Sequence, residues 1–90
     1  MQIHFDAAKD KLNQARHGLS LALARSLAWD EALVWVDDRF EYDEVRAIAF
    51  VPKGDRLYYV VFVDRGDVRR VISLRFAERR EVKHYVENFA

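Results

Sequence analysis

The spacing of apolar residues changes character along the chain. Phe5, Ala8, Leu12 and Ala15 recur at intervals of three and four, the repeat of one helical face. Asp6 stands where an N-cap carboxylate accepts backbone N–H groups, and His17-Gly18 closes the segment on a residue able to take positive φ. This predicts a helix of about ten residues. Ser20 offers a second cap, and Leu19, Leu23 and Leu27 fall at i, i+4 and i+8, so a short second helix is predicted to end near Trp29. From Ala32 the chain becomes rich in β-branched and aromatic residues, in runs at 32–36, 45–51, 57–63 and 68–75. The last three runs are joined by Pro52-Lys53-Gly54-Asp55 and Asp64-Arg65-Gly66-Asp67, short Gly-bearing turns that predict antiparallel hairpins. The connection 37–44 is longer and strongly polar. Run 57–63 is apolar throughout, as suits a central strand covered on both faces. Run 68–75 alternates, with Val68, Arg70, Ile72 and Leu74 on one side and Arg69, Val71, Ser73 and Arg75 on the other. From Ala77 to Asn88 a last helix carries Val82, Tyr85, Val86 and Phe89 as a stripe to lay on the sheet. The expected fold is α+β: two N-terminal helices, a four-stranded antiparallel sheet and a C-terminal helix packed on it.

Composition narrows this picture. A 90-residue chain buries about 60 to 65% of its unfolded surface, so one domain spanning 1–90 with one core is expected. Apolar residues make up 51% of the chain and twelve residues are aromatic, enough to fill that core and to argue against disorder. The absence of cysteine excludes a disulfide framework and a thiolate metal site and fits a reducing cytoplasm. The longest apolar run has seven residues, far below the roughly 20 of a membrane-spanning helix, so no membrane partner is expected. The N-terminus lacks the basic start and apolar stretch of a signal peptide. Net charge is zero, yet residues 1–64 balance at −3 and residues 65–90 at +3. That asymmetry makes either a phosphate-facing patch or a set of salt bridges between the two halves.

Three blocks carry a resemblance. The first is Phe5-Asp6-Ala7-Ala8-Lys9, then Asn13, then Arg16-His17-Gly18-Leu19-Ser20. The second is Asp38-Arg39-Phe40-Glu41-Tyr42-Asp43-Glu44-Val45-Arg46, an acidic loop leading into Glu-x-Arg. The third is Arg70-Val71-Ile72-Ser73-Leu74-Arg75-Phe76-Ala77, followed by Arg79, Glu81 and Tyr85. In this order they resemble the BrnT ribonuclease toxins of bacterial toxin-antitoxin pairs. The pattern departs from that family at Arg16, Leu74, Phe76 and Glu78, where Lys, Ala, a basic residue and Thr or Ser are usual. The resemblance implies a fold related to RelE-type ribonucleases, RNA cleavage that stops translation, and no cofactor or metal. It also implies a BrnA-like ribbon-helix-helix antitoxin in a 2:2 complex, through which alone operator DNA would be contacted.

Metal-free RNA cleavage needs a base for the ribose 2′-OH, an acid for the leaving 5′-oxygen, and cations for the charge that builds on phosphorus. His17, whose residue type titrates near 6.5, suits proton transfer, although a histidine there also serves a helix C-terminus through its dipole. Glu44 is the other candidate base. If it lies on a strand with Arg46, the two share a face, as a catalytic pair or as an ordinary ion pair. Arg75 and Arg79 end the last strand and begin the last helix. They either converge on one phosphate, to which Arg presents a planar fork, or form a solvated basic face against Glu44, Glu78 or Glu81. The catalytic set implied is His17, Glu44, Arg46, Arg75 and Arg79, with Lys9, Asn13, Arg16, Arg70, Arg80 and Lys83 holding RNA. Tyr85 reads as core with its hydroxyl at the rim, Trp29 and Trp35 as core anchors, and His4 and His84 as structural or surface residues. Two other readings stay open: a catalytically weakened toxin-like module that binds the antitoxin and assists operon repression, and an interaction domain with no RNA role.

Overall fold

The computed structural model describes residues 1–39, 41 and 43–89; Phe40 and Tyr42 of the second block lie outside it, as does Ala90. Five strands form one mixed sheet: β1 (Gln2–His4), β2 (Leu33–Val36), β3 (Ala47–Lys53), β4 (Arg56–Arg65) and β5 (Val68–Phe76), in the spatial order β1-β5-β4-β3-β2. β4, the wholly apolar run, is central as expected. β2 to β5 pair antiparallel, and Gly54 and Gly66, both at φ 60, turn the two hairpins. The four-stranded antiparallel expectation is corrected by β1, which adds to β5 in parallel through Gln2, Ile3 and His4 opposite Val68, Arg69 and Arg70. Three residues are too few to display an alternation, so nothing local marks this strand.

β5 corrects a second expectation. Val61 faces Ser73 while the next residue, Phe62, faces Val71, so Ile72 is an extra residue on β5. The bulge reverses the side on which later residues fall. Val71 and Leu74, expected on opposite sides, are both fully buried in the same core, whereas Arg70 and Arg75 share the other face opposite Val63 and Tyr59.

The core lies between one face of the sheet and the first 3-10 helix (Leu21–Ser26). Leu21, Ala24 and Leu27 pack on Ala49, Val51, Tyr58, Val60, Phe62, Val71 and Leu74, and Ile3 closes one end. A second 3-10 turn (Trp29–Glu31) follows. The expected second α-helix is therefore a 3-10 segment, and its buried positions repeat every three residues rather than every four. Ser20 does cap it, accepting from the Ala22 N–H at 3.1 Å.

Helix α1 (Ala7–His17) begins at Asp6, which accepts from the Lys9 N–H, and ends at Gly18 with φ 70. Its inward face is the reverse of the expected one: Ala8, Leu12 and Ala15 are exposed, and the buried residue is Asn13. The physical reason lies at the sheet edge. β1 ends at His4, so β5 has no strand beside it at Leu74. Asn13 substitutes for one, accepting from the Leu74 N–H at 3.0 Å and donating to the Leu74 carbonyl at 2.8 Å. Its amide also donates to the Leu19 carbonyl at 2.8 Å, and Asp10 accepts from the Leu21 N–H at 2.7 Å and the Ser20 hydroxyl at 3.1 Å. Polar groups, not an apolar stripe, dock this helix.

Helix α2 (Arg79–Asn88) lies over the other face of the sheet. The His84 ring meets Trp35 and Phe50 at centroid distances of 6.5 and 6.1 Å, and the Tyr85 hydroxyl donates to the Glu31 carbonyl at 2.6 Å. The expected stripe is only half realised: Tyr85 and Phe89 are half-buried and stacked 5.0 Å apart, while Val82 and Val86 remain exposed. No helix among the described residues is long and apolar enough to cross a membrane.

Candidate functional site

Because Asn13 pins α1 to the edge of β5, residues on neighbouring turns of the helix are carried to the surface above β5. Lys9 lies one turn before it and His17 one turn after, and both are exposed. A shallow groove there is lined by Lys9, Leu12, Asn13, Arg16, His17, Ile72 and Ser73. Lys9 and Ile72 also line a second, larger cleft of about 310 Å³ with Asp43, Glu44, Arg46, Val63, Arg65 and Arg70. The two adjoin at Lys9 and Ile72. Arg70 also borders a third hollow with His4, Phe5 and Asp6.

Four cations, Lys9, Arg46, Arg65 and Arg70, thus surround the carboxylates of Asp43 and Glu44 over a floor of Val63 and Ile72. Glu44 and Arg46 do not sit on β3, which begins at Ala47, so the expected same-face strand pair is not formed. Glu44 instead accepts both arms of the Arg65 guanidinium, Nε at 2.7 Å and a terminal nitrogen on its other oxygen. This hydrogen bond, assisted by the charges of Arg65, Arg70 and Arg46, keeps the carboxyl below its ordinary range despite some desolvation. Glu44 is held as the anion.

Arg75 has a different setting. It lies on the Tyr59 ring at 3.9 Å and gives both terminal nitrogens to Glu81, at 2.8 and 2.9 Å. Glu81 also accepts from the Glu78 N–H at 2.7 Å. Burial raises the Glu81 carboxyl, but the Arg75 hydrogen bond, the Glu78 N–H and the charges of Arg75 and Arg80 outweigh it and leave the group lowered. This fork ties α2 to β5. Arg79, Arg80 and Lys83 are exposed on α2, with Arg80 paired to Glu78 at 3.2 Å. Among the described residues, no group of three or more His, Asp and Glu side chains is placed to hold a metal ion.

The model of the family described as "Ribonuclease toxin, BrnT, of type II toxin-antitoxin system" matches residues 5–81. The chain belongs to this BrnT family. A search of solved structures agrees: the 1.1 Å crystal structure of the Brucella abortus ribonuclease toxin BrnT is 30% identical with a TM-score of 0.67, and the match covers 88% of this chain and 99% of that one. A comparison with curated protein sequences found no match.

Within this BrnT-family fold the sequence-derived candidates divide into three groups. Lys9, Glu44, Arg46 and Arg70 line one cleft, and Lys9, Arg16 and His17 line the adjoining hollow. Arg75, Arg79, Arg80 and Lys83 gather at α2, where Arg75 is engaged by Glu81 rather than converging with Arg79 on an open position. Asn13 borders the same hollow, but it is buried and its side-chain amide is engaged by the Leu19 carbonyl and the Leu74 backbone, a structural role. Arg65, which ends β4, was not among the candidates, because along the sequence it falls in a Gly-bearing turn motif and in no periodic pattern. His4, read there as structural or surface, borders the hollow next to Arg70. The parallel pairing of β1 with β5 places it there, and no local pattern announces that pairing.

Proposed function

We propose that this chain is the toxin of a type II pair and acts as a metal-independent endoribonuclease whose cutting of RNA inhibits translation. The observation that supports this reading is the cleft lined by Lys9, Arg46, Arg65, Arg70 and Glu44, which shares Lys9 and Ile72 with the hollow that His17 lines. The cations take the scissile phosphate and its neighbour, and His17 and Glu44 divide the two proton transfers. Glu44, held as the anion, receives the 2′-OH proton, and His17 protonates the departing 5′-oxygen. Attack of the 2′-oxygen on phosphorus breaks the P–O5′ bond and leaves a cyclic phosphate. Arg16, Arg79, Arg80 and Lys83 extend the contact with flanking phosphates. The proposed partner is a BrnA-like ribbon-helix-helix antitoxin in a 2:2 complex, with operator DNA contacted only through it. The proposed location is the cytoplasm, and a RelE-type ancestry for the fold belongs to the same reading.

Purified protein incubated with RNA in EDTA is expected to cleave it, and His17→Ala to reduce the rate by about 10²- to 10⁴-fold, the usual contribution of a general acid or base. RNA left intact at high protein concentration defeats the proposal. A second reading has its own support. With Arg75 bound to Glu81, Phe76 exposed, and Glu78 opening α2, the end of β5 carries little free positive charge. That arrangement favours a weakened module which holds its antitoxin and assists repression. Growth arrest on expression without antitoxin, lost in Arg75→Ala or His17→Ala, excludes it.

A further inference from the structure

Among the described residues, Arg65 and Arg75 each present both arms of the guanidinium to a glutamate, and their settings differ. Arg75 and Glu81 are largely covered, with side chains 26% and 11% exposed, and Glu81 is further tied to the Glu78 backbone. Arg65 and Glu44 are open, at 59% and 44% exposed. The first pair joins two elements. The second lines a cleft together with Lys9, Arg46 and Arg70.

We infer that Glu44 is an internal stand-in for a substrate phosphate, occupying Arg65 in the free protein and yielding it to an RNA phosphate on binding. The inference deepens the ribonuclease reading and rests on it. Its chemistry is one of shape. A carboxylate and a phosphate offer the same two-oxygen edge to the parallel N–H groups of a guanidinium, so one replaces the other without rearrangement of Arg65. Exposed ion pairs are weak, so Glu44 is displaced at little expense. The phosphate gains Lys9, Arg46 and Arg70 as further neighbours.

The scaffold determines which partner yields. Arg65 ends β4 beside the Gly66 turn and is anchored through its pairing with Val68. Glu44 belongs to neither helix nor strand. The carboxylate is therefore the movable member, and its release leaves it within the same cleft as the phosphate that displaced it. Arg65 is thereby a phosphate-binding residue, and Glu44 an internal competitor for it.

The test uses a short single-stranded RNA bearing 2′-O-methyl groups, which lacks the nucleophile and reports binding without cleavage. Its fluorescence anisotropy is followed over a series of salt concentrations with wild type, Glu44→Gln, Arg65→Gln and the double variant. Thermal unfolding confirms that each variant is folded. Glu44→Gln is expected to bind roughly two- to fivefold tighter, the scale of an exposed ion pair released. Arg65→Gln is expected to bind more weakly, with the slope of log K against log salt shallower by about 0.7. Its effect is expected to be larger in the Glu44→Gln background, where no competitor offsets the loss. Unchanged or weaker binding by Glu44→Gln, or unchanged binding by Arg65→Gln, overturns the inference and leaves the ribonuclease reading standing. Wild-type protein that fails to bind the probe even at low salt overturns both.

Discussion

Asn13 performs at one position what a strand would do at an edge. A side-chain amide carries the same donor and acceptor as a peptide unit, and Asn13 uses both on Leu74 while giving its second N–H to Leu19. Truncation leaves buried backbone groups without partners as well as a void. Asn13→Ala is therefore expected to lower unfolding free energy by about 2 to 4 kcal/mol, read as a fall in denaturant midpoint at constant m-value. A loss below about 0.5 kcal/mol contradicts the edge-cap role. Leu12→Ala, on the exposed side of the same helix, is expected to change stability far less. In the sequence, Asn13 looked like a polar residue on an open surface, because the unpaired edge it serves is 61 positions away.

At the scale of elements, α2 depends on a clamp more than on an apolar stripe. With Val82 and Val86 left in water, its attachment rests on Arg75–Glu81, on Tyr85 and its stacked Phe89, and on His84 against Trp35 and Phe50. The Glu81 carboxyl is lowered from its ordinary value of 4.5 in the folded protein. A group of lowered folded pKa contributes stability that is complete above the unfolded value and disappears as pH falls through the folded one. Hydrogen exchange in α2 is accordingly expected to be pH-independent, after correction for intrinsic rates, above about pH 5 and to accelerate below about pH 4.5. Glu81→Gln is expected to be faster at neutral pH and to lose that acid transition. Retention of the transition in Glu81→Gln assigns it to another carboxylate. The α2 apolar positions were legible from their spacing, but the exposure of Val82 and Val86 was not.

Considered whole, the described ion pairs are mostly local in sequence, and Arg65–Glu44 is the one that spans a long stretch of chain. The basic C-terminal third and the acidic front meet in Arg65–Glu44, while Asp64–Arg69 and Arg75–Glu81 form within the later strands and α2. With zero net charge, long-range attraction of RNA is weak, and affinity is expected to come from a few local contacts. If three or four cations of the groove neutralise phosphates, log K against log salt for a single-stranded RNA is expected to have a slope of about −2 to −3. A slope near zero removes the phosphate contacts from the groove.

Local patterns along the chain specify the cap at Asp6, the turns at Gly54 and Gly66, the apolar run 57–63 at the centre of the sheet, and the three blocks that place the chain in the BrnT family. Each depends on neighbours within a few positions or on motifs in fixed order. The parallel addition of β1, the bulge that sets Arg70 and Arg75 on one face, the burial of Asn13 and the partner of Glu44 emerge with the folded chain. In each case the deciding group is a backbone edge or side chain remote in sequence. Hydrogen-bonding demand, unlike hydrophobicity, leaves no periodic trace along the chain.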